Sequence, residues 1–314
     1  MHILMIAPEP FFEPRGTPFS EFHRIRALTT LGHTVDLATY PFGRDVEMPG
    51  LRIVRCVRPP FVKRVKIGPS WPKVPLDLSL FATALRLAMT RRYDAVHSHE
   101  EGGAVGVLIA ALLRVPHLYD MHSSLPQQIA NFGHARRAWL ARLLAGLERQ
   151  MIRRSRVVIV ICPELETTVR AVDPDVPTVL IENAPGSGDP PTPGTGDAVR
   201  RSLGVAPGVP VVMYTGTFEA YQGLELLYEA MPPVLEVRPD ARLVLVGGDA
   251  DQVELARARV RSLGLEHAVI FAGQRPAEEI PAYLDSATML VSPRSTGTNT
   301  PLKIYQYLRS GRPI

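Results

Sequence analysis

Near the end of the chain, Thr298, Asn299 and Thr300 run into Pro301, and Lys303 follows within one turn. Thr300 has the side chain of an N-cap and Pro301 suits a first helical position. The spacing therefore predicts a helix whose unpaired N–H groups can meet an anion. A lysine in that first turn opposes the helix dipole by roughly 0.3–1 kcal/mol, so a bound diphosphate explains Lys303 better than helix stability does. Arg294, leaving the preceding strand, reaches the same space, where charge-assisted bonds from both cations would hold phosphate oxygens. The alternative is that both are solvated surface charges.

Other residues could do chemistry too. His122 follows a buried strand and opens the loop Ser123-Ser-Leu-Pro126, where a neutral imidazole can bond a hydroxyl or stabilise developing charge, or simply sit satisfied in the structure. His97, His99 and Glu100 have ligand-type side chains, but no third ligand stands at an obvious spacing, so cleft polar residues are the better account than a metal. Between Leu51 and Pro75 every charged residue is basic (Arg52, Arg55, Arg58, Lys63, Arg64, Lys66, Lys73), with Phe61 and Trp71 interleaved. Cations beside aromatics suit an anionic bilayer surface. Nucleic acid is a poorer partner, because no nucleic-acid motif accompanies the charge. The stretch Arg136–Arg156 is also arginine-rich around Trp139, Leu143 and Leu147, a stripe expected to face the core.

These residues need elements to position them. His2–Ala7 is a short apolar run, Ser20–Leu31 has helical periodicity, Gly32 stops it, and Thr34–Tyr40 is strand again, which makes a βαβ unit. Further apolar runs at Leu51–Val57, Ala95–His97, His117–Met121 and Val157–Ile161 alternate with helical stretches, the order of a parallel doubly wound sheet. Pro185–Gly196 is built almost wholly of Pro, Gly, Ser, Thr and Asp and reads as a linker. After it, strands at Val211–Tyr214, Arg242–Val246, Val269–Phe271 and Met289–Ser292 alternate with helices, the last over Leu302–Ser310.

The expected class is α/β with two tandem Rossmann-like domains: residues 1–184, a linker at 185–197, and 198–314. Such a pair sets the C-terminal ends of both sheets across a cleft, where α/β folds bind ligands. The second domain is expected to be incomplete, since Gly311-Arg-Pro-Ile314 reads as a helix exit entering another buried strand.

Composition narrows the class. At 314 residues, 46% hydrophobic and 21% charged, the chain has the profile of a globular protein, which excludes disorder and collagen. The net charge of +4 is too mild to imply nucleic acid unless clustered. Two cysteines, Cys56 and Cys162, cannot build a disulfide framework and suit a reducing cytoplasm. The longest apolar stretch, Gly102–Leu113, is short of the roughly 20 residues of a spanning helix. The N-terminal run lacks a basic flank and meets Pro8, Pro10 and Pro14, so it reads as a strand and not a signal peptide. A cytoplasmic location, with peripheral contact at the membrane's inner face through 51–75, is the expectation.

The dinucleotide fingerprint is missing after the first strand, where the loop reads Pro14-Arg-Gly-Thr-Pro18. Instead the chain resembles the family-four group of retaining GT-B glycosyltransferases. The resemblance runs through that glycine-containing loop, Tyr93-Asp-Ala-Val-His-Ser-His99, Tyr119-Asp-Met-His122, Ile181-Glu-Asn183, Tyr214-Thr-Gly-Thr217, Tyr221-Gln-Gly223 and Leu245-Val-Gly-Gly248. It continues in Ser292-Pro-Arg294 and Pro301-Leu-Lys-Ile-Tyr-Gln-Tyr-Leu-Arg-Ser-Gly311.

By that resemblance the chain moves a sugar from a nucleotide-diphosphate donor to an acceptor hydroxyl on a glycan or lipid-linked molecule, with retention, in polysaccharide or glycolipid synthesis. Neither cofactor nor metal is needed. The resemblance assigns His122 to the donor sugar and places Gly16, Gly216, Thr217, Gln222, Arg294, Thr298, Asn299, Thr300, Lys303 and Gln306 around the donor.

The chain also departs from the family pattern. Thr298 and Gln306 stand where many relatives have two glutamates, and Thr217 and Gln222 where a basic pair is usual. Gln306 can still bond a ribose hydroxyl, and Arg294 with Lys303 can supply the displaced charge. Two other readings stay open at this point: a nucleotide-sugar epimerase of the same build, and a catalytically silent binding protein or fragment.

Overall fold

Strand β1 (His2–Ala7) is apolar from Ile3 to Ala7 and buried on both faces, so it belongs in the middle of a sheet covered by helices on either side. The structure, a computed structural model, describes residues 1–12, 16–63, 65, 73–126, 138–182, 194–294 and 301–314. It divides into two compact units, Met1–Asn183 and Ala184–Ile314.

In the first unit β1 is followed by α1 (Gly16–Thr30), β2 (Thr34–Thr39), β3 (Leu51–Arg55), α2 (Lys73–Thr90), β4 (Ala95–His99) and α3 (Gly102–Leu113). The chain continues through β5 (His117–Met121), α4 (Ala138–Arg154), β6 (Val157–Val160), α5 (Pro163–Val172) and β7 (Thr178–Leu180). Seven strands lie in the order β3-β2-β1-β4-β5-β6-β7, and every pairing is parallel. Side chains of β1 alternate between two packed layers: Leu4 and Ile6 meet Leu80 and Leu87 of α2, while Ile3 and Met5 share a cluster with Ile25 of α1.

The second unit holds α6 (Gly196–Ser202), β8 (Val211–Gly216), α7 (Leu224–Val237), β9 (Arg242–Gly247), α8 (Ala250–Ser262), β10 (Val269–Gly273), α9 (Ile280–Ser286), β11 (Met289–Leu290) and α10 (Leu302–Ser310). Its four strands run β10-β9-β8-β11, again all parallel, as strand–helix alternation predicts. In each sheet the order reverses once, between β1 and β4 and between β8 and β11. A parallel sheet opens a crevice at the carboxyl ends of the strands at that point.

Several local expectations change. Helix α1 begins at Gly16, so this glycine is a first helical residue, not part of a loop. Residues 185–193 of the expected linker lie outside the described residues, and its final two, Gly196 and Asp197, already belong to α6, where the Gly196 N–H donates to Asp285 Oδ2 at 2.8 Å. Strand β7, only three residues long and largely exposed, has too little apolar periodicity to be read from sequence. Trp139, Leu143 and Leu147 of α4 do not face the core. They are 64%, 60% and 36% exposed.

The basic stretch 51–75 is mostly committed within its own unit. Arg52 donates to both oxygens of Asp36 at 2.8 and 2.6 Å, Arg55 bonds Asp45 and three backbone carbonyls, Arg58 bonds the Val62 carbonyl, and Lys73 pairs with Glu101. Val57, Phe61 and Lys63 are exposed, while Arg64, Lys66 and Trp71 lie outside the described residues.

Candidate active site

The first unit gathers three histidines around one carboxylate. His97 and His99 alternate on β4 and so share a face, with rings stacked at 4.9 Å, and register sets His99 opposite Asp120 on β5. His97 Nε2 lies 3.3 Å from Asp120 Oδ2, His99 Nδ1 3.8 Å from the same oxygen, and His122 Nε2 3.2 Å from Oδ1. Arg24, projecting from α1, donates to both oxygens of Asp120.

Burial opposes ionisation of Asp120, yet the imidazoles of His122, His97 and His99 hold its carboxyl well below the ordinary range. Burial also pushes His99 well below its ordinary value, against the pull of Asp120, which leaves that imidazole neutral. On the opposite face of the same strands Ser98, His117 and Ser155 form a buried chain at 2.6 and 2.9 Å. That network is structural, because Gly106 of α3 packs directly on it.

The sequence spacing at 97–100 offers no third metal ligand, but the neighbouring strand supplies one. His97, His99 and Asp120 bring ligand-type atoms within 4.8 Å of one another. Arg24 already provides the positive charge there. Glu100 turns away with φ +47° and accepts from Ser123 Oγ at 3.0 and 3.2 Å, and burial pushes its pKa to about 8.

The loop after His122 is tied a second time. Glu148 of α4 accepts from Ser124 Oγ at 3.1 Å and from the Leu125 N–H at 2.6 Å. Asp120 lay within the Tyr119-Asp-Met-His122 motif with no role assigned to it, and no sequence pattern pointed to Arg24 or Glu148. The paired strand register and the helix crossing bring them to the site.

In the second unit the carboxyl end of β8 and the start of α10 meet. Lys303 Nζ donates to Gln222 Oε1 at 3.1 Å and sits 3.8 Å from the centre of the Tyr214 ring. Gly216, at φ +142°, leaves room for that ammonium, since a Cβ there would stand 2.9 Å from Nζ. The facing Gly247 leaves the same gap on β9, where a Cβ would strike the Gly216 carbonyl.

Thr217 is half-buried and its carbonyl accepts from Tyr214 OH at 2.7 Å. The Arg294 guanidinium lies over the Tyr221 ring at 5.5 Å. Burial lowers the Lys303 pKa to about 7, and the nearby Arg294 adds to the effect. Lys303 and Arg294 thus set two basic groups in one corner, a combination suited to phosphate.

Tyr307 OH fixes this corner by accepting from the Thr215 N–H at 2.9 Å, which locks α10 to β8. Helix α10 starts at Leu302 with Pro301 as its N-cap and no side-chain cap bond. Pro301 therefore takes the position expected of Thr300; its missing N–H costs nothing there. Thr298, Asn299 and Thr300 lie outside the described residues. Gln306 is exposed on the turn after Lys303.

The structure thus brings together Gly216, Gln222 and Lys303, with Arg294 close enough to act on the lysine electrostatically. An open concavity of about 470 Å³, unforeseen from sequence, lies at the ends of β9 and β10 between Gly248, Arg257, Gly273 and Gln274.

Known proteins resemble the chain along most of its length. A family model described as a glycosyl transferase 4-like domain matches residues 23–184, and one described as glycosyl transferases group 1 matches 209–314. A D-inositol 3-phosphate glycosyltransferase of Corynebacterium diphtheriae is 30% identical over 311 residues, covering 92% of this chain and 70% of the relative. That of Corynebacterium jeikeium is 26% identical, covering 82% and 64%. The 2-deoxystreptamine N-acetyl-D-glucosaminyltransferase of Streptomyces fradiae is 29% identical, covering 85% and 66%.

Among solved structures, sucrose-phosphate synthase from Thermosynechococcus elongatus superposes with a TM-score of 0.76 at 22% identity, over 99% of this chain and 80% of that one. HepE of Anabaena in complex with UDP and glucose gives 0.70 at 19%, over 99% and 78%. Those likenesses show the fold, while the domain matches and the 30% identical relative carry descent: the chain belongs to the group 1 glycosyltransferases, with a first unit of the 4-like kind.

Proposed function

We propose that the chain transfers a sugar from a nucleoside-diphosphate donor to an acceptor hydroxyl with retention of configuration, in glycan or glycolipid synthesis. The observation that carries this reading is the corner of Lys303, Gln222, Gly216 and Arg294. As the glycosidic bond to phosphate breaks, negative charge grows on the leaving diphosphate. Preorganised cations stabilise that charge without a protein nucleophile. Lys303 takes the part of the basic pair replaced by Thr217 and Gln222, since its ammonium sits directly on the Gln222 amide oxygen. Thr298, Asn299 and Thr300 would border the same phosphates, Gln306 the ribose, and Gly16 the donor side of the first unit.

His122 is the residue we assign to the donor sugar, with Asp120 Oδ1 3.2 Å from its Nε2 to orient the ring. The relatives' names point to cyclitol and sugar acceptors, so inositol phosphates and aminocyclitols belong in the first acceptor panel beside lipid-linked glycans. Among the described residues no helix is long and apolar enough to cross a membrane. Contact with anionic lipid through 51–75 would rest on exposed side chains of that stretch such as Val57, Phe61 and Lys63.

The test is a thermal-shift panel of UDP-, GDP- and ADP-sugars, then turnover with the stabilising donor. His122→Ala should keep the nucleotide-dependent shift and lose transfer by at least about a hundred-fold. Conversion of the donor sugar without acceptor would support an epimerase instead, and stabilisation by no nucleotide sugar would overturn the reading.

A further inference from the structure

We propose that the concavity between β3 and the end of α2 binds a small molecule carrying a phosphate monoester. Register sets Arg52 of β3, an edge strand of the first sheet, beside Asp36 of β2, and Arg52 and Val54 alternate onto one face of the strand. Val54 and Leu87 of α2 share a hydrophobic cluster, so that face is the one α2 covers. Arg86, Leu87 and Thr90 lie on the last turns of α2, and Arg91 follows directly. These six residues line about 380 Å³, the scale of a small-molecule site and more than a single ion fills.

Three guanidiniums share this space with one carboxylate. Asp36 is buried and accepts from Arg52 Nε at 2.8 Å, from Arg52 Nη2 at 2.6 Å and from Tyr93 OH at 2.6 Å, with Arg91 Nη1 3.7 Å away. The bidentate bond fixes the Arg52 fork and uses neither hydrogen of its Nη1. No acidic residue lines the concavity, and among the described residues no carboxylate pairs with Arg86. The C-terminal end of α2 supplies the equivalent of about half a negative charge. Most of the surplus of positive charge therefore stays unneutralised.

Charge and shape select the ligand. A phosphate monoester is close to a dianion near neutrality and offers three acceptor oxygens to forked guanidinium donors, which matches the surplus here. Val54 and Leu87 put apolar carbon beside the cations, a floor for the organic body of the ester. The recess between strand and helix suits a free molecule. Its place is remote from the polar cluster at the carboxyl end of the sheet: α2 begins at Lys73, which pairs with Glu101 beyond β4, and its 18 residues run about 27 Å to Arg91, near the start of β2. The inference stands apart from the transferase reading, because it concerns neither that end of the first unit nor the donor corner.

The test is calorimetry on the full chain at pH 8 with phenyl phosphate as the probe and phenyl sulfate as a monoanion of similar shape. Phenyl phosphate should bind at least about ten-fold more tightly than phenyl sulfate. Arg86→Ser and Arg91→Ser should each weaken it about ten-fold or more, and Arg86→Ser should melt like the wild type when no ligand is present. Lys303→Met should leave this binding in place. Bound phenyl phosphate should also protect Arg86 and Arg91 from phenylglyoxal, read by mass spectrometry. The absence of binding, equal affinity for the two anions, or an affinity that neither arginine variant changes would overturn the proposal. Binding lost only in Lys303→Met would place the probe in the donor corner, and displacement of the probe by phosphatidic acid vesicles would give the site to a lipid headgroup; either result overturns it.

Discussion

Lys303→Met isolates the charge on which the donor corner depends. With burial and Arg294 holding its pKa at about 7, only about one tenth of the free protein carries this ammonium at pH 8. A diphosphate seated on Nζ restores the charge. Binding should therefore take up about 0.9 proton at pH 8 and about 0.1 at pH 6. The dissociation constant of the wild type should rise by up to about ten-fold per pH unit above pH 7, until the pKa of the complex is reached. Losing a charge-assisted bond worth roughly 1.5–3 kcal/mol weakens the variant about ten- to hundred-fold near neutrality.

Stability carries the same signature. The folded value is depressed, so above about pH 7 the unfolded chain binds more protons than the native one. The wild type thus gains stability as pH rises from about 7 towards the ordinary lysine range, and the variant loses that slope. Calorimetry of the nucleoside diphosphate in Hepes and in Tris, whose ionisation enthalpies differ, reads the proton uptake directly. Protons released by the nucleotide itself cancel in the comparison with Lys303→Met. Equal uptake by both proteins at pH 8, or a wild-type affinity independent of pH, would refute the reasoning.

Two further outcomes follow from buried groups. Tyr307→Phe leaves the Thr215 N–H without its acceptor in a buried position and should cost about 1–3 kcal/mol, measured by urea unfolding; an unchanged midpoint would show that the tie contributes nothing. Glu100 has its pKa raised to about 8, so its stabilising contribution is present below the unfolded value and is lost as pH rises to about 8, at up to ~1.4 kcal/mol per unit. Glu100→Gln should flatten that fall between pH 5 and 8, and parallel stability profiles of the two proteins would contradict it.

The strands could be read from sequence wherever both faces are buried. β1, β5, β6, β8 and β9 announce themselves as apolar runs because helices cover both sides of the sheet. β7 is exposed and three residues long, and so leaves no such trace. Lys303 and Gln222 stood out by type and motif, yet their contact spans the unit and depends on how α10 crosses β8, which no local pattern encodes. Asp120 looked like an ordinary strand residue until register set it opposite His99. The stripe on α4 misled for a different reason. Periodicity identifies an apolar face but not what lies against it, and it is Leu144, Glu148, Met151 and Ile152, off that stripe, that pack on the fold.

The central position of β1 has a consequence for biosynthesis. Ile3 pairs with Val35 on one side and with Ala95 on the other, so one edge of the strand can be filled long before its second partner exists. At about 5–20 residues per second, roughly 3 to 12 s separate the two events on the ribosome. Throughout that interval an apolar strand presents unpaired N–H and C=O groups to its surroundings, the kind of template that recruits chaperones or other nascent chains. Chains arrested with β2 emerged but β4 still inside the tunnel should have a protease-sensitive N-terminus, with protection gained only once β4 is free to pair.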